Sequence, residues 1–230
     1  ENIPDDYTSG LLKMLALPET RRPRFAVYNE MAARGYREVV SYAFVDEQWE
    51  HDFAANANPI RLQNPLAAQY AVMRSTLIGG LVEILQNNLN RKQNRVRVFE
   101  IARVFSKDSD GQFVQNERIG GLWYGAAMPE QWGEKTRNAD FYDIKADVEN
   151  LLKNKAVEFV KTEHPALHPG RAANIVSDGQ VIGFIGELHP KWLQKYDLPQ
   201  APLVFEIDMA AVLEREKMRY QAVSKFQPVR

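Results

Sequence analysis

Several groups of side chains in this 230-residue chain have types and spacings that could do chemistry. His164 and His168 stand four apart, the separation that puts two imidazoles on one helix face to hold a metal. Pro165 and Pro169 disfavour a regular helix there, and no third ligand is near in sequence, so a structural loop is expected. His168-Pro169-Gly170-Arg171 reads as a turn feeding a strand, with an anion contact by Arg171 as the lesser reading. Glu206 and Asp208 share one side of a strand and are oxygen ligands of the kind Mg²⁺ prefers. Phe205 and Ile207 inward with the two acids outward explains the same pattern as a solvated face. The run from Arg91 to Arg97 is the densest basic segment. Cations at a helix C-terminus are favoured by its dipole, which accounts for Arg91 and Lys92. Contact with nucleic-acid phosphates through Arg91, Lys92 and Arg95 is the competing reading. Trp123, Trp132 and Trp192 have no accompanying basic cluster, so they read as core or interface anchors rather than base-stacking platforms.

The elements that must position these residues are legible in the periodicity. Met73, Leu77, Leu81, Leu85 and Leu89 recur every fourth residue, a helix stripe widened by Ile78, Val82 and Ile84. Gly79 and Gly80 interrupt it, each at about 1 kcal/mol relative to alanine, which implies a close backbone approach or a bend. An earlier helix is expected from Pro23, with Phe25, Tyr28, Met31 and Ala32 as its apolar face and Gly35 as its stop. Val40, Tyr42 and Phe44 then alternate as a strand. Strands are expected over Val96 to Phe105 and Ile119 to Tyr124, turned by Asp108-Ser109-Asp110-Gly111. A helix capped by Asp140 should run to Leu152. Further strands are expected at Val157 to Lys161, Ala172 to Ser177 and Val181 to Leu188, the last two joined through Asp178-Gly179. Pro190 opens a short helix ending near Tyr196, Leu203 to Asp208 is a strand, and Met209 to Lys217 is helical. Tight hairpins imply antiparallel pairing, so the expected class is α+β, a mainly antiparallel sheet flanked by helices packed on one side.

Composition excludes several functions. A net charge of −1 argues against a whole-domain nucleic-acid footprint, so any RNA contact must be local. The absence of cysteine removes disulfides and thiolate metal sites and is compatible with a reducing cytoplasm. No apolar run reaches the roughly 20 residues a membrane span needs. The first residues lack the order of a signal peptide, and the chain is expected to be a piece of a longer protein.

Six sequence pieces, in register, carry a resemblance: Asn64-Pro65-Leu66, Tyr70 to Arg74, Asn88 to Arg91, Val98 to Phe105, His168 to Ala172 and Gly183 to Pro190. In this order they resemble the beta-subunit family of bacterial phenylalanyl-tRNA synthetases, from Tyr7 to Arg230. The resemblance implies a class II aminoacyl-tRNA synthetase-like catalytic-core fold that does not itself catalyse. It implies residues 1–20 as a connector from a preceding domain and 21–216 as the synthetase-like module. Residues 217–230 would then lead toward an anticodon-binding domain. True catalytic members of this class hold ATP with an Arg-x-Glu pair on a strand and with a glycine-rich strand-to-helix junction ending in Glu-Arg. Here Arg97 and Glu100 are three apart, which sends them to opposite faces of an ideal strand. Arg103 shares Arg97's face, without a matching glutamate. The segment Leu203 to Leu213 has no glycine and no arginine.

The resemblance therefore implies a scaffold with no catalytic, cofactor or metal residues of its own. Its partner is the alpha subunit, in a cytoplasmic alpha2-beta2 ligase that uses ATP and Mg²⁺ to join phenylalanine to its tRNA. Tyr28, Met31 and Tyr42 are the candidates for the subunit interface, and Arg91, Lys92 and Arg95 for tRNA. The alternatives are an RNA-binding module or an independent ligand-binding domain on the same fold.

Overall fold

In the computed structural model, residues 21–153 and 155–214 are described. Helix α1, Arg24–Ala33, follows Pro23, whose fixed φ suits a helix entry, and gives way at Gly35, which takes φ +82°. Strand β1, Arg37–Glu38, is short. The strand expected at Val40 to Phe44 is not one: β2 is only Phe44–Val45, and Val40 and Tyr42 are 86% and 68% exposed. The reason is local. Val39 N–H makes the last bond toward β4, to Phe99 O, and the next donor, Ser41 N–H, turns to the Glu100 carboxylate instead.

Helix α2, Glu47–Ala54, is an element the hydrophobic reading passed over. Its signal is Asp46, whose side chain accepts from Gln48 N–H, with Phe53 fully buried on the inner face. Strand β3, Val72–Met73, pairs antiparallel with β2, so Met73 belongs to a strand and the stripe becomes helical only at α3, Ile78–Asn90. Helix α3 ends in a left-handed Lys92, with Gln93 N–H bonded back to Asn88 O at 3.0 Å.

Strands β4, Val96–Lys107, and β5, Phe113–Tyr124, form the expected hairpin, longer than the alternation alone marked. Asp108 Oδ1 closes its turn by accepting from Asp110 N–H and Gln112 N–H. Helix α4, Phe141–Leu151, carries a capping box between Asp140 and Asp143. Strands β6, Glu158–Lys161, β7, Leu167–Ser177, and β8, Gln180–Leu188, follow, with Asp178 and Gly179 both at positive φ in the β7–β8 turn. Helix α5, Pro190–Lys195, strand β9, Leu203–Asp208, and helix α6, Met209–Leu213, complete the order. The connectors at 1–20 and 217–230 lie outside the described residues.

One seven-stranded sheet runs β1-β4-β5-β9-β8-β7-β6, antiparallel throughout except for the parallel β1–β4 pair. Period-two alternation divides its side chains cleanly. Phe99, Ile101, Ile119, Phe205 and Ile207 meet α1, α4 and α6 in one core. Val96, Val98, Leu122, Phe184 and Val204 meet α2, α3 and α5 in a second. Helices thus cover both faces, not one. A strand buried on both sides can carry apolar residues without a polar interval, as Leu203 to Phe205 does.

Candidate functional site

The sheet face under α3 is the place where two carboxylates, Glu100 on β4 and Glu206 on β9, project side by side with the second core. Their burial is nearly total, at 2% and 0% exposure. Buried charges survive only when paired and hydrogen-bonded. Glu206 Oε2 accepts from Thr76 Oγ1 at 2.6 Å and from Leu77 N–H at 2.8 Å, so a strand carboxylate caps the entry to α3. Its other oxygen accepts from Arg118 Nη1 at 2.6 Å, and Arg118 Nε also reaches Asp208. Burial alone would lower the Arg118 guanidinium, but the charges of Glu206 and Asp208 and its hydrogen bonds to them outweigh it and raise it. The solvated-face reading of Glu206 is therefore corrected. On a strand covered on both sides, its outward position is the inside of a second core.

Glu100 is satisfied in the same manner. It accepts from Ser41 Oγ at 2.7 Å, from Ser41 N–H at 3.2 Å and from Arg74 Nη1 at 3.0 Å. Arg74, itself buried, also donates to Ser41 Oγ and to Arg103 O. Arg97 lies on the opposite face, as the spacing of three required. Its guanidinium sits 3.5 Å from the Trp123 ring centre and 4.4 Å from that of Tyr36, and it donates to Asp147 at 2.6 Å. Tyr36 hydroxyl and Arg34 join the same carboxylate. Burial, then the charge of Asp147, raises the Tyr36 hydroxyl far above its ordinary value. Arg103 is exposed, touching Gln115. Arginine and glutamate that would have to converge on one ligand are thus spent on separate structural networks, one on each side of the sheet.

Other candidates resolve individually. His164 stacks on Phe184 with ring centres 4.1 Å apart, and burial, aided by Arg118, lowers its pKa to about 4. Its Nδ1 accepts from Ala166 N–H, and His168 Nδ1 accepts from Gly170 N–H, so each histidine closes its own turn. No group of three His, Asp or Glu that could hold a metal is gathered among the described residues. Arg171 pairs with Glu187 across the β7–β8 hairpin at 2.6 Å. Trp123 and Trp192 are core residues, whereas Trp132 is fully exposed.

A cavity of about 1050 Å³ lies between α1 and α4, bordered by Ala26, Ala33, Arg34, Tyr142 and Ala146.

Residues 3–209 match the model of the phenylalanyl tRNA synthetase beta chain CLM domain. The chain belongs to the phenylalanyl-tRNA synthetase beta-chain family. Its relatives include the phenylalanine–tRNA ligase beta subunit of Neisseria meningitidis serogroup B, 93% identical over the whole chain, and that of Chromobacterium violaceum, 56% identical over the whole chain. The chain spans 29% of the length of each of these relatives. Among solved structures, it is similar to PylSc of Desulfitobacterium hafniense, a pyrrolysyl tRNA synthetase, at a TM-score of 0.59 and 10% identity. That match covers 85% of this chain and 67% of the other and fixes the fold alone.

The residues expected at the beta chain's interfaces are scattered. Tyr28, half buried on α1, sets its ring against Phe99 and accepts from Arg24 Nε and Nη2. Met31, on the same helix, is completely buried in the first core and cannot reach a partner, a correction to the expected interface set. It lies on the inner side of α1, where the sequence stripe marks burial without saying against what. Phe25, 72% exposed, is the large apolar residue that α1 presents outward. Tyr42 lies apart from both, packed on Tyr70 at 5.3 Å. Arg91 and Lys92 are exposed at the exit of α3. Arg95 is half-buried and donates through Nε and Nη2 to Ala126 O and Ala127 O. The hydrogen-bonded groupings of Ser41 and Arg74 with Glu100, and of Thr76 and Arg118 with Glu206, were not foreseen. Only Thr76, a hydroxyl residue just ahead of a helical stripe, carried a readable capping signal.

Proposed function

We propose that this chain is the non-catalytic, synthetase-like module of a phenylalanine–tRNA ligase beta subunit and serves to hold the alpha subunit. The alpha subunit carries out the attachment of phenylalanine to its tRNA, with ATP and Mg²⁺ bound there, in a cytoplasmic alpha2-beta2 assembly that tRNA meets as a whole. The supporting observation is the division of Arg97 and Glu100 between opposite faces of the sheet, with each already neutralised inside the protein. No helix among the described residues is long and apolar enough to cross a membrane. The outward face of α1, with Phe25 and Tyr28, and the surface around Tyr42 supply the docking area. A subunit contact of this permanence should bury more than about 2,000 Å².

Mixing the chain with purified alpha subunit and measuring sedimentation tests the reading. A complex should form at micromolar concentration, and the chain alone should give no phenylalanine-dependent pyrophosphate exchange. Exchange by the chain alone, or no complex, would overturn it.

A further inference from the structure

Gly79 and Gly80 sit inside a helix at a cost in helix propensity, and the structure shows what they admit. A β-carbon on Gly79 would fall 2.7 Å from Trp49 Cε3, and one on Gly80 would overlap Ser41 Oγ. The bare backbone of α3 lets Trp49 of α2 and the segment from Ser41 to Asp46 close upon it. Between them remains a pocket of about 150 Å³ walled by Tyr42, Phe44, Trp49 and Tyr70, with Asp46 and Glu83 at its border. Four aromatic residues and two acids lining one small space are the composition that holds an organic cation, through ring quadrupoles and charge together.

We propose that this pocket receives an arginine or lysine side chain presented by the partner subunit. The proposal rests on the reading that the module docks on the alpha subunit. Three observations favour a side chain over a free ligand. The volume lies below the range of about 300–1,000 Å³ typical of sites for cofactors and drug-sized molecules. Tyr42, on its wall, is largely exposed, so the pocket opens at the surface where a side chain of another protein can enter. The acids are also available to a newcomer. Asp46 spends Oδ1 on capping α2, and neither it nor Glu83 forms an ion pair among the described residues. The cations on the segments packed beside the pocket are committed elsewhere, Arg74 to Glu100 and Arg61 to Glu47. What remains is net negative and ringed by aromatic faces.

The variants that test this preserve the fold. Asparagine replaces aspartate at a helix N-cap with little loss, and Glu83 is exposed. Tetramethylammonium, with tert-butanol as its neutral counterpart of similar size, probes the pocket through the indole N–H resonance of Trp49 in the chain. The cation should give a saturable shift that the alcohol does not, and Asp46→Asn with Glu83→Gln should abolish it. No saturable shift, or equal shifts from both probes, would overturn the pocket's assignment. The same double variant should weaken association with the alpha subunit about tenfold, between the small effect of losing an exposed ion pair and the larger one of losing a buried pair. Unchanged association, where the unsubstituted chain does bind, would overturn the side-chain occupant. Failure of the unsubstituted chain to bind alpha at all would instead count against the docking role, while the ammonium titration would still report on the pocket.

Discussion

Glu206 shows how far a single residue can be misread when only its own strand is considered. Its place between Phe205 and Ile207 is that of a solvent-facing acid, yet it is fully buried because α3 lies over that side of the sheet. Nothing within Leu203 to Asp208 could announce this, since the covering helix is more than a hundred residues earlier. Its counter-charge, Arg118, is likewise remote in sequence, 88 residues earlier. A prediction belongs here. Glu206→Ala leaves Thr76 hydroxyl and Leu77 N–H without their acceptor and strips Arg118 of one of its two carboxylates. The expected loss is about 2–4 kcal/mol, below the upper end for a broken buried pair because Asp208 remains for Arg118. Glu206→Gln keeps an acceptor oxygen and should lose about half as much. Urea midpoints at constant slope give both values, and a glutamine variant less stable than the alanine one would contradict the account.

At the scale of elements, legibility followed turn chemistry and caps. The β4–β5 hairpin was readable because Asp108 to Gly111 supplies turn residues between two alternating runs, and α4 because Asp140 and Asp143 form its cap. The stretch from Val40 to Phe44 misled because alternation persists where the sheet has already ended, its next donor, Ser41 N–H, taken by a buried carboxylate rather than a neighbouring strand. Helix α2 escaped notice because its inner face is narrow and holds two acids, Glu50 and Asp52, both buried with partners. Glu50 accepts from Ser75, and Asp52 from Lys195 and Tyr196, so side-chain bonds tie α2 to its neighbours. Against α3 it packs through Trp49, which is why the glycine pair can be tested. Alanine in an exposed helix gains about 1 kcal/mol over glycine. At Gly80 the new methyl must displace Ser41, whose hydroxyl bonds Glu100, and overpacking of this kind costs about 1–3 kcal/mol. Gly80→Ala should therefore lower the urea midpoint. A raised midpoint would mean that Ser41 moves freely and that the close approach carries no constraint.

Across the whole molecule, the class was readable because hairpins force antiparallel pairing, while the second layer of helices was not, since periodicity tells which side of a helix is buried and never which side of the sheet receives it. Phe25 and Met31 are expected from the sequence on one apolar face, yet six residues set them about 120° apart around a helix of 3.6 residues per turn. The fold assigns them opposite tasks: Met31 inside the first core at 0% exposure and Phe25 outside at 72%. Met31→Ala empties a packed position and should cost the fold about 2–5 kcal/mol in a urea titration. Phe25→Asp should leave the midpoint within about 0.5 kcal/mol, as surface substitutions do, because its ring contributes little to the interior. If α1 docks on the alpha subunit, the order reverses in an association measurement. A charge introduced at the centre of an apolar contact should weaken the complex by tenfold or more, the size of effect seen when an aromatic anchor is lost. Sedimentation of each variant with alpha, beside its urea curve, separates the two tasks. Should Phe25→Asp bind alpha with undiminished affinity while remaining folded, the outward side of α1 would not be the docking face, and the surface around Tyr42 would have to supply the contact alone.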